Sequence, residues 1–404
     1  MSVYWNTRTR ELSPYIPGEQ PKDRKFIKLN TNENPYPPSP LVIEAIQKAA
    51  NETLRLYPDP TCTELREAVA KRYGISASQV FAGNGSDEVL AFAFAAFFET
   101  APNGNKNAQA AGQPGIVFPD ITYSFYPVYA DLWNAAYKTI PLKEDFSIDV
   151  AAYINLSLSA KPGGIILSNP NAPTGIALSI EEVKKIAEAA EHCKYVLIVD
   201  EAYIAFAETD ASKQTSQSLK TYGSMLPYID EFPNLLIIRT LSKESSLAGL
   251  RAGFAIGSEE LIEGLCRIRD SFNSYTLDRL ALAGAAAAIK DFAYYDEINS
   301  RIINTRRRVS SGLKALGWRG LPSQANFIFA APPADCGKSG SEFFTALREH
   351  GILVRHFNKP RIADFLRISI GSDPDMDVFL ASCREILQNS SRKGTKTQRE
   401  KNKK

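Results

Sequence analysis

Arg239-Thr240-Leu241-Ser242-Lys243, with Ala248-Gly249-Leu250-Arg251-Ala252-Gly253-Phe254 close behind it, is the stretch on which the reading of this 404-residue chain turns. The residues before it, Leu235-Leu236-Ile237-Ile238, have the length and branching of a buried strand. A lysine held at a strand end inside a fold loses hydration. That destabilises its ammonium and frees the amine to act as nucleophile or Schiff-base partner. A solvated lysine after an edge strand would give the same short pattern, so the weight falls on its surroundings.

Two further apolar runs end in polar signatures. Gly164-Ile165-Ile166-Leu167 leads into Ser168-Asn169-Pro170-Asn171-Ala172-Pro173-Thr174-Gly175, and Tyr195 to Val199 leads into Asp200-Glu201-Ala202-Tyr203. Between them Ile180, Val183, Ile186, Ala187 and Ala190 recur at helical spacing, which predicts a helix over Ile180 to Cys193 and hence a strand–helix–strand unit. Strands so connected are parallel, and ligands gather at their carboxyl ends, where all three polar signatures fall. Upstream, the period of Leu65, Val69 and Tyr73 predicts a helix over Thr63 to Tyr73 that Gly74 ends. A short strand at Gln79 to Ala82 then meets Gly83-Asn84-Gly85-Ser86-Asp87 and a helix to about Phe98. Backbone N–H groups at such a helix start can face an anion, although a plain capped helix after a turn has the same sequence.

These segments agree in order and spacing with others: Leu29-Asn30-Thr31-Asn32-Glu33-Asn34-Pro35, Tyr57-Pro58-Asp59, Gly351 to Arg355, and Leu366 to Gly371. Together they resemble the pyridoxal-phosphate aminotransferases of fold type I and, within them, the histidinol-phosphate aminotransferase family, from about Leu12 to about Leu387. The resemblance implies an α/β fold of two domains. An arm (1–28) precedes a large domain (57–278) with a mainly parallel sheet and the cofactor, and a smaller α+β domain combines 29–56 with 279–390. An alanine-rich helix starting at Leu280 would link them.

The resemblance also implies roles. Lys243 would carry pyridoxal 5'-phosphate and shuttle the proton, Asp200 would pair with the pyridinium nitrogen, and Tyr203 would donate to the phenolate oxygen. Gly85, Ser86, Asp87, Ser242 and Arg251 would surround the cofactor phosphate, with Tyr57 reaching it from the neighbouring subunit of a homodimer. Tyr123 would stack on the ring, although a tyrosine in so aromatic a segment also suits plain core. Arg367 and Arg355, with Tyr15 and Asn32, would hold the substrate anions; a solvated arginine is the plainer reading of Arg355. In the family an asparagine precedes Pro-Thr-Gly and touches the phenolate oxygen, but this chain has Ala172 there, leaving Asn171 as the substitute. Glu244 beside Lys243 is also unusual, and its side chain is expected to point away. The implied reaction is transamination between L-histidinol phosphate and 2-oxoglutarate in histidine biosynthesis. An aromatic amino-acid aminotransferase and, more distantly, a phosphothreonine decarboxylase share the scaffold. A ligand sensor for a DNA-binding partner would need an extra module for which the chain has no room.

Composition agrees with such an enzyme. At 44% hydrophobic residues the chain can bury large cores, it has no apolar run of membrane-spanning length, and its start lacks the apolar region of a signal peptide. Five scattered cysteines without metal-ligand spacing suggest reduced thiols, a cytoplasmic protein and no metal site. From Ser391 seven basic residues face only Glu400, so the net charge of +2 hides an acidic body and a basic tail. That tail (391–404) is expected to be disordered and solvated, with no nucleic acid or membrane partner. Thr100 to Gly115 has the composition of a mobile surface loop.

Overall fold

The computed structural model describes residues 3–21, 24–99, 115–160, 163–208 and 222–401. After the arm, β1 (Ile27–Lys28) pairs far along the chain. Seven strands then make the central sheet: β2 (Val80–Gly83), β3 (Ile116–Pro119), β4 (Tyr137–Ile140), β5 (Gly164–Ser168), β6 (Val196–Asp200), β7 (Leu235–Thr240) and β8 (Gly253–Ile256). Their spatial order is β2-β8-β7-β6-β5-β3-β4. β3 to β7 pair in parallel, whereas β8 is antiparallel to both β2 and β7.

Side chains that alternate along the strands bury both faces of this sheet. Leu197, Val199, Leu235 and Ile237 join one core with Leu65, Val69 and Ala285, which come from the helices Thr63–Tyr73 and Arg279–Lys290. Ile198, Leu236 and Ile238 join another with Phe92, Phe94 and Leu265, from the helices Gly85–Phe97 and Glu259–Phe272. The helix Ile180–His192 starts with a capping box, Ser179 against Glu182, which satisfies two donors of the helix start.

The C-terminal part adds β9 (Arg319–Gly320), β10 (Phe327–Ala331), β11 (Ile352–Leu353), β12 (Arg355–His356) and β13 (Leu366–Ser369). Four of them form an antiparallel sheet in the order β12-β13-β10-β9, while β11 pairs in parallel with β1. A third core lies there, and Leu29, Ala172, Tyr203 and Phe206 insert into it. Loops that follow β5 and β6 are thereby anchored to the second sheet.

Two expectations for local structure need comment. The last helix runs Asp373–Lys401, so 391–401 is helical where disorder was expected. Lys, Arg, Gln and Glu are good helix formers, and extending an existing helix needs no new nucleus. Residues 402–404, and all of the turn-rich Thr100 to Gly115 segment except Gly115, lie outside the described residues.

Candidate active site

Three strand ends meet at one cleft. Ser168 closes β5 and is level with Asp200, which closes β6. β7 passes into a single helical turn, Leu241–Glu244, whose start Thr240 caps by accepting from the Ser242 N–H at 3.2 Å. This turn aims Lys243 into the cleft. Its Nζ donates to the Thr31 carbonyl at 3.1 Å, and the Lys243 carbonyl accepts from Asn34 Nδ2 at 3.1 Å. Burial, then the cations Arg367 and Arg251, push the Lys243 ammonium down to about 8, with Glu33 and Asp87 opposing.

Asp200 is 4% exposed, and burial raises its carboxyl to about 6. Its Oδ2 accepts from Tyr126 Oη at 2.9 Å and its Oδ1 from the Ala202 N–H at 3.1 Å. Opposite, Tyr203 Oη accepts from Asn32 Nδ2 at 2.9 Å, which leaves the hydroxyl's own proton free to donate. Asn32 is itself fixed: its N–H donates to Ser369 Oγ at 2.8 Å, and its Oδ1 accepts from that hydroxyl at 2.9 Å. Since Ser369 closes β13, both sheets orient the tyrosine.

At the start of the helix Gly85–Phe97 lies a cationic cradle. Arg251 Nη2 donates to Asp87 Oδ2 at 2.8 Å, its Nη1 lies 3.5 Å from Ser242 Oγ, and Tyr123 Oη donates to Asp87 Oδ1 at 2.8 Å. Gly85 has φ +75°, and a Cβ there would stand 2.7 Å from the Arg251 guanidinium; a Cβ on Gly253 would stand 2.4 Å from the Ser86 nitrogen. Only glycine lets these backbones close around the cradle.

The far wall is a second pair of arginines. Arg355 and Arg367 face each other across β12 and β13. Arg367 Nη2 donates to the Asn30 carbonyl at 3.0 Å, but its Nε is buried without a partner among the described residues, as are Asn30 Oδ1 and Thr31 Oγ1. Burial lowers the Arg367 pKa. Arg355 Nη2 reaches the Ile16 carbonyl at 3.4 Å, and Tyr15 packs on Phe125 with ring centroids 4.3 Å apart.

Lys243, Asp200, Tyr203, Ser86, Asp87, Tyr123, Ser242 and Arg251 thus share one cleft with Tyr15, Asn32, Arg355 and Arg367. Gly85 shapes it from behind. Tyr57 stands outside, 78% exposed and stacked on Tyr275 with ring centroids 4.6 Å apart. Asn171 is the correction: Ala172, not Asn171, lines the cleft. The Asn171 amide is spent on its own loop and the loop after β3, donating to the Ile121 carbonyl at 3.0 Å and Thr174 Oγ1 at 3.1 Å, and accepting from Thr122 Oγ1 at 2.9 Å. Sequence reasoning gave no role to Tyr126, the partner of Asp200. Its one signal was a tyrosine in an apolar segment, whose hydroxyl must find a buried partner.

A lysine of lowered pKa, a buried carboxylate across the cleft and a glycine-lined cationic cradle are what a phosphorylated pyridine aldehyde needs, and the residues fit that group. The chain belongs to the aminotransferase class I and II family, whose profile matches residues 24–382. That family is dependent on pyridoxal phosphate. Within it the similarity is to histidinol-phosphate aminotransferases. The Clostridium acetobutylicum enzyme is 49% identical over 96% of this chain and 100% of its own length. The Clostridium beijerinckii enzyme is 48% identical over 97% and 99%. A crystal structure of the Sinorhizobium meliloti histidinol-phosphate aminotransferase in complex with pyridoxal-5'-phosphate has a TM-score of 0.80 at 25% identity, covering 96% of this chain and 99% of that one.

Proposed function

We propose that this enzyme transfers an amino group between L-histidinol phosphate and 2-oxoglutarate, making or consuming imidazole-acetol phosphate and glutamate in histidine biosynthesis. The observation that carries the substrate choice is the Arg355 and Arg367 pair across β12 and β13, on the wall of the cleft that holds Lys243. Two adjacent guanidinium groups suit a phosphate dianion, and one of them suits a carboxylate, so unlike substrates can share the site.

Pyridoxal phosphate, when bound, supplies the electron sink for charge developing on the substrate carbon. Lys243 Nζ, with an ammonium pKa of about 8, is neutral often enough at physiological pH to take the proton from that carbon. Asp200, braced by Tyr126, would set its carboxylate toward the pyridine nitrogen and keep that nitrogen protonated. Tyr203, accepting from Asn32, would direct its O–H to the phenolate oxygen, and the Ala172 side chain in the wall offers that oxygen no second donor. Ser86, Ser242 and Arg251 would hold the cofactor phosphate, with Asp87 steering the arginine. Tyr123 would cover the ring, and Tyr15 on Phe125 would offer the substrate's imidazole an aromatic face.

Tyr57, exposed and outside its own cleft, is assigned to the partner site of a homodimer. The boundaries expected from the sequence (57–278 for the large domain, 29–56 with 279–390 for the small one) enclose the central and four-stranded sheets respectively. Among the described residues no helix is long and apolar enough to cross a membrane, and the cytoplasm is the proposed compartment. Borohydride reduction followed by peptide mapping tests the lysine, and label on Lys359 or Lys220 would reject it. A panel that couples 2-oxoglutarate to histidinol phosphate, phenylalanine and tyrosine tests the substrate. Preference for the aromatic amino acids would move the assignment to that branch.

A further inference from the structure

Arg239 lies in a buried cluster none of whose members lines the cleft. It is 7% exposed, one residue before the end of β7. Its Nε and Nη2 donate to Glu201 Oε2 at 3.1 and 2.9 Å, and its Nη1 donates to Tyr73 Oη at 2.9 Å. Glu201, 2% exposed, also accepts from the Met225 N–H and Ser224 Oγ, both at 2.7 Å, and its own N–H donates to the Ile238 carbonyl at 2.8 Å. Glu244 is 7% exposed, and its Oε1 has no hydrogen-bond partner among the described residues. Burial opposes the Arg239 charge, but Tyr73, Glu201 and Glu244 together hold it above the ordinary arginine range.

Two of these residues have informative neighbours. Glu201 directly follows Asp200, and Glu244 directly follows Lys243. Alternation sets Ile237 and Arg239 on one face of the sheet and Ile238 on the other. Asp200 joins the second face through Tyr126. One guanidinium on β7, four residues before Lys243, therefore grips from behind the sheet the residue that adjoins Asp200. One cation among two buried carboxylates is a poor device for stability alone, since a packed apolar cluster would serve as well or better.

We propose that Arg239 is a positioning residue: by holding Glu201 to β7 behind the sheet it fixes the separation of Asp200, which precedes Glu201, and Lys243, which follows β7, across the cofactor. This rests on the assignment of Lys243 and Asp200 to the cofactor. The reacting groups must stay aligned to a fraction of an ångström, and a loosened clamp costs rate rather than substrate affinity.

The test uses cofactor-loaded protein. Arg239→Met alone strands two carboxylates, so the informative variant is Arg239→Met/Glu201→Gln/Glu244→Gln, which removes the buried charges together while each glutamine keeps the size of the glutamate it replaces. The expected result is a melting temperature near that of wild type, KM within about twofold, and kcat lowered about tenfold or more. The absorbance band of the bound cofactor should also titrate with a midpoint displaced by about half a pH unit or more. Wild-type kcat and band midpoint in a stably folded triple variant would overturn the proposal and leave the cluster a purely structural one. Should that variant not fold, Arg239→Lys, which keeps a buried cation but loses the fork, is read the same way: wild-type kcat and midpoint reject the clamp, and the same split upholds it. A wild-type protein without a cofactor band would instead refute the cofactor assignment, independently of the clamp.

Discussion

Replacing Lys243 by Met should stabilise the cofactor-free protein while abolishing transamination. Met fills nearly the space of the lysine stem, so packing is preserved. The Lys243 ammonium titrates at about 8 in the fold against 10.5 for a free lysine. That gap, about 2.5 units, corresponds to ~3 kcal/mol that the native state forgoes when it keeps the charge. The bond from Nζ to the Thr31 carbonyl returns ~1 kcal/mol, which leaves a net gain of ~2 kcal/mol for the variant at pH 7. The sign with pH follows from a depressed folded-state pKa: the lysine is penalised in full below about 8, and the penalty fades between about 8 and 10.5 as both states lose the proton. Urea denaturation of cofactor-free wild type and Lys243→Met at pH 7, 9 and 10.5 reads this. The variant's midpoint should be higher at pH 7, the advantage should shrink at pH 9, and at pH 10.5 the wild type should be slightly ahead. Midpoints that differ by the same amount at all three pH values would refute the account of a desolvated lysine.

Three other outcomes follow from the same geometry. Asp200→Asn keeps the shape of the contact with Tyr126 but removes the charge, so single-turnover rates should fall by orders of magnitude while cofactor affinity falls far less; near-normal turnover would reject the role. In stopped-flow half-reactions, Arg355→Ala should impair histidinol phosphate by about 1.5–3 kcal/mol and glutamate far less, whereas Arg367→Ala should impair both; equal losses for Arg355→Ala would contradict a shared phosphate site. Asn171→Ala, which strips three hydrogen bonds from a buried loop, should lower the melting temperature while the bound-cofactor spectrum keeps its shape, and an altered spectrum would return Asn171 to the cleft.

Much of this protein was legible from the chain alone, because the relevant signals are local. Branched runs ending in polar residues marked β5, β6 and β7, and the 3.6-residue period and Gly74 bounded the helix Thr63–Tyr73. Since a strand end is also where a parallel sheet presents its ligands, the order of motifs along the sequence named most of the residues that line the cleft, although Tyr57, Asn171 and Gly85, also named, do not line it. Tertiary structure decided what depends on distance between remote segments. No local rule says that Tyr126 meets Asp200, that Ser369 sets Asn32 and through it Tyr203, or that Asn171 turns away because Ile121, Thr122 and Thr174 consume its amide. Nor does the pattern of charges along the chain reveal that Arg239 pairs with Glu201 behind the sheet. Burial and the pairing of parallel strands bring them together, and the same burial lowers the pKa of an ordinary lysine to about 8.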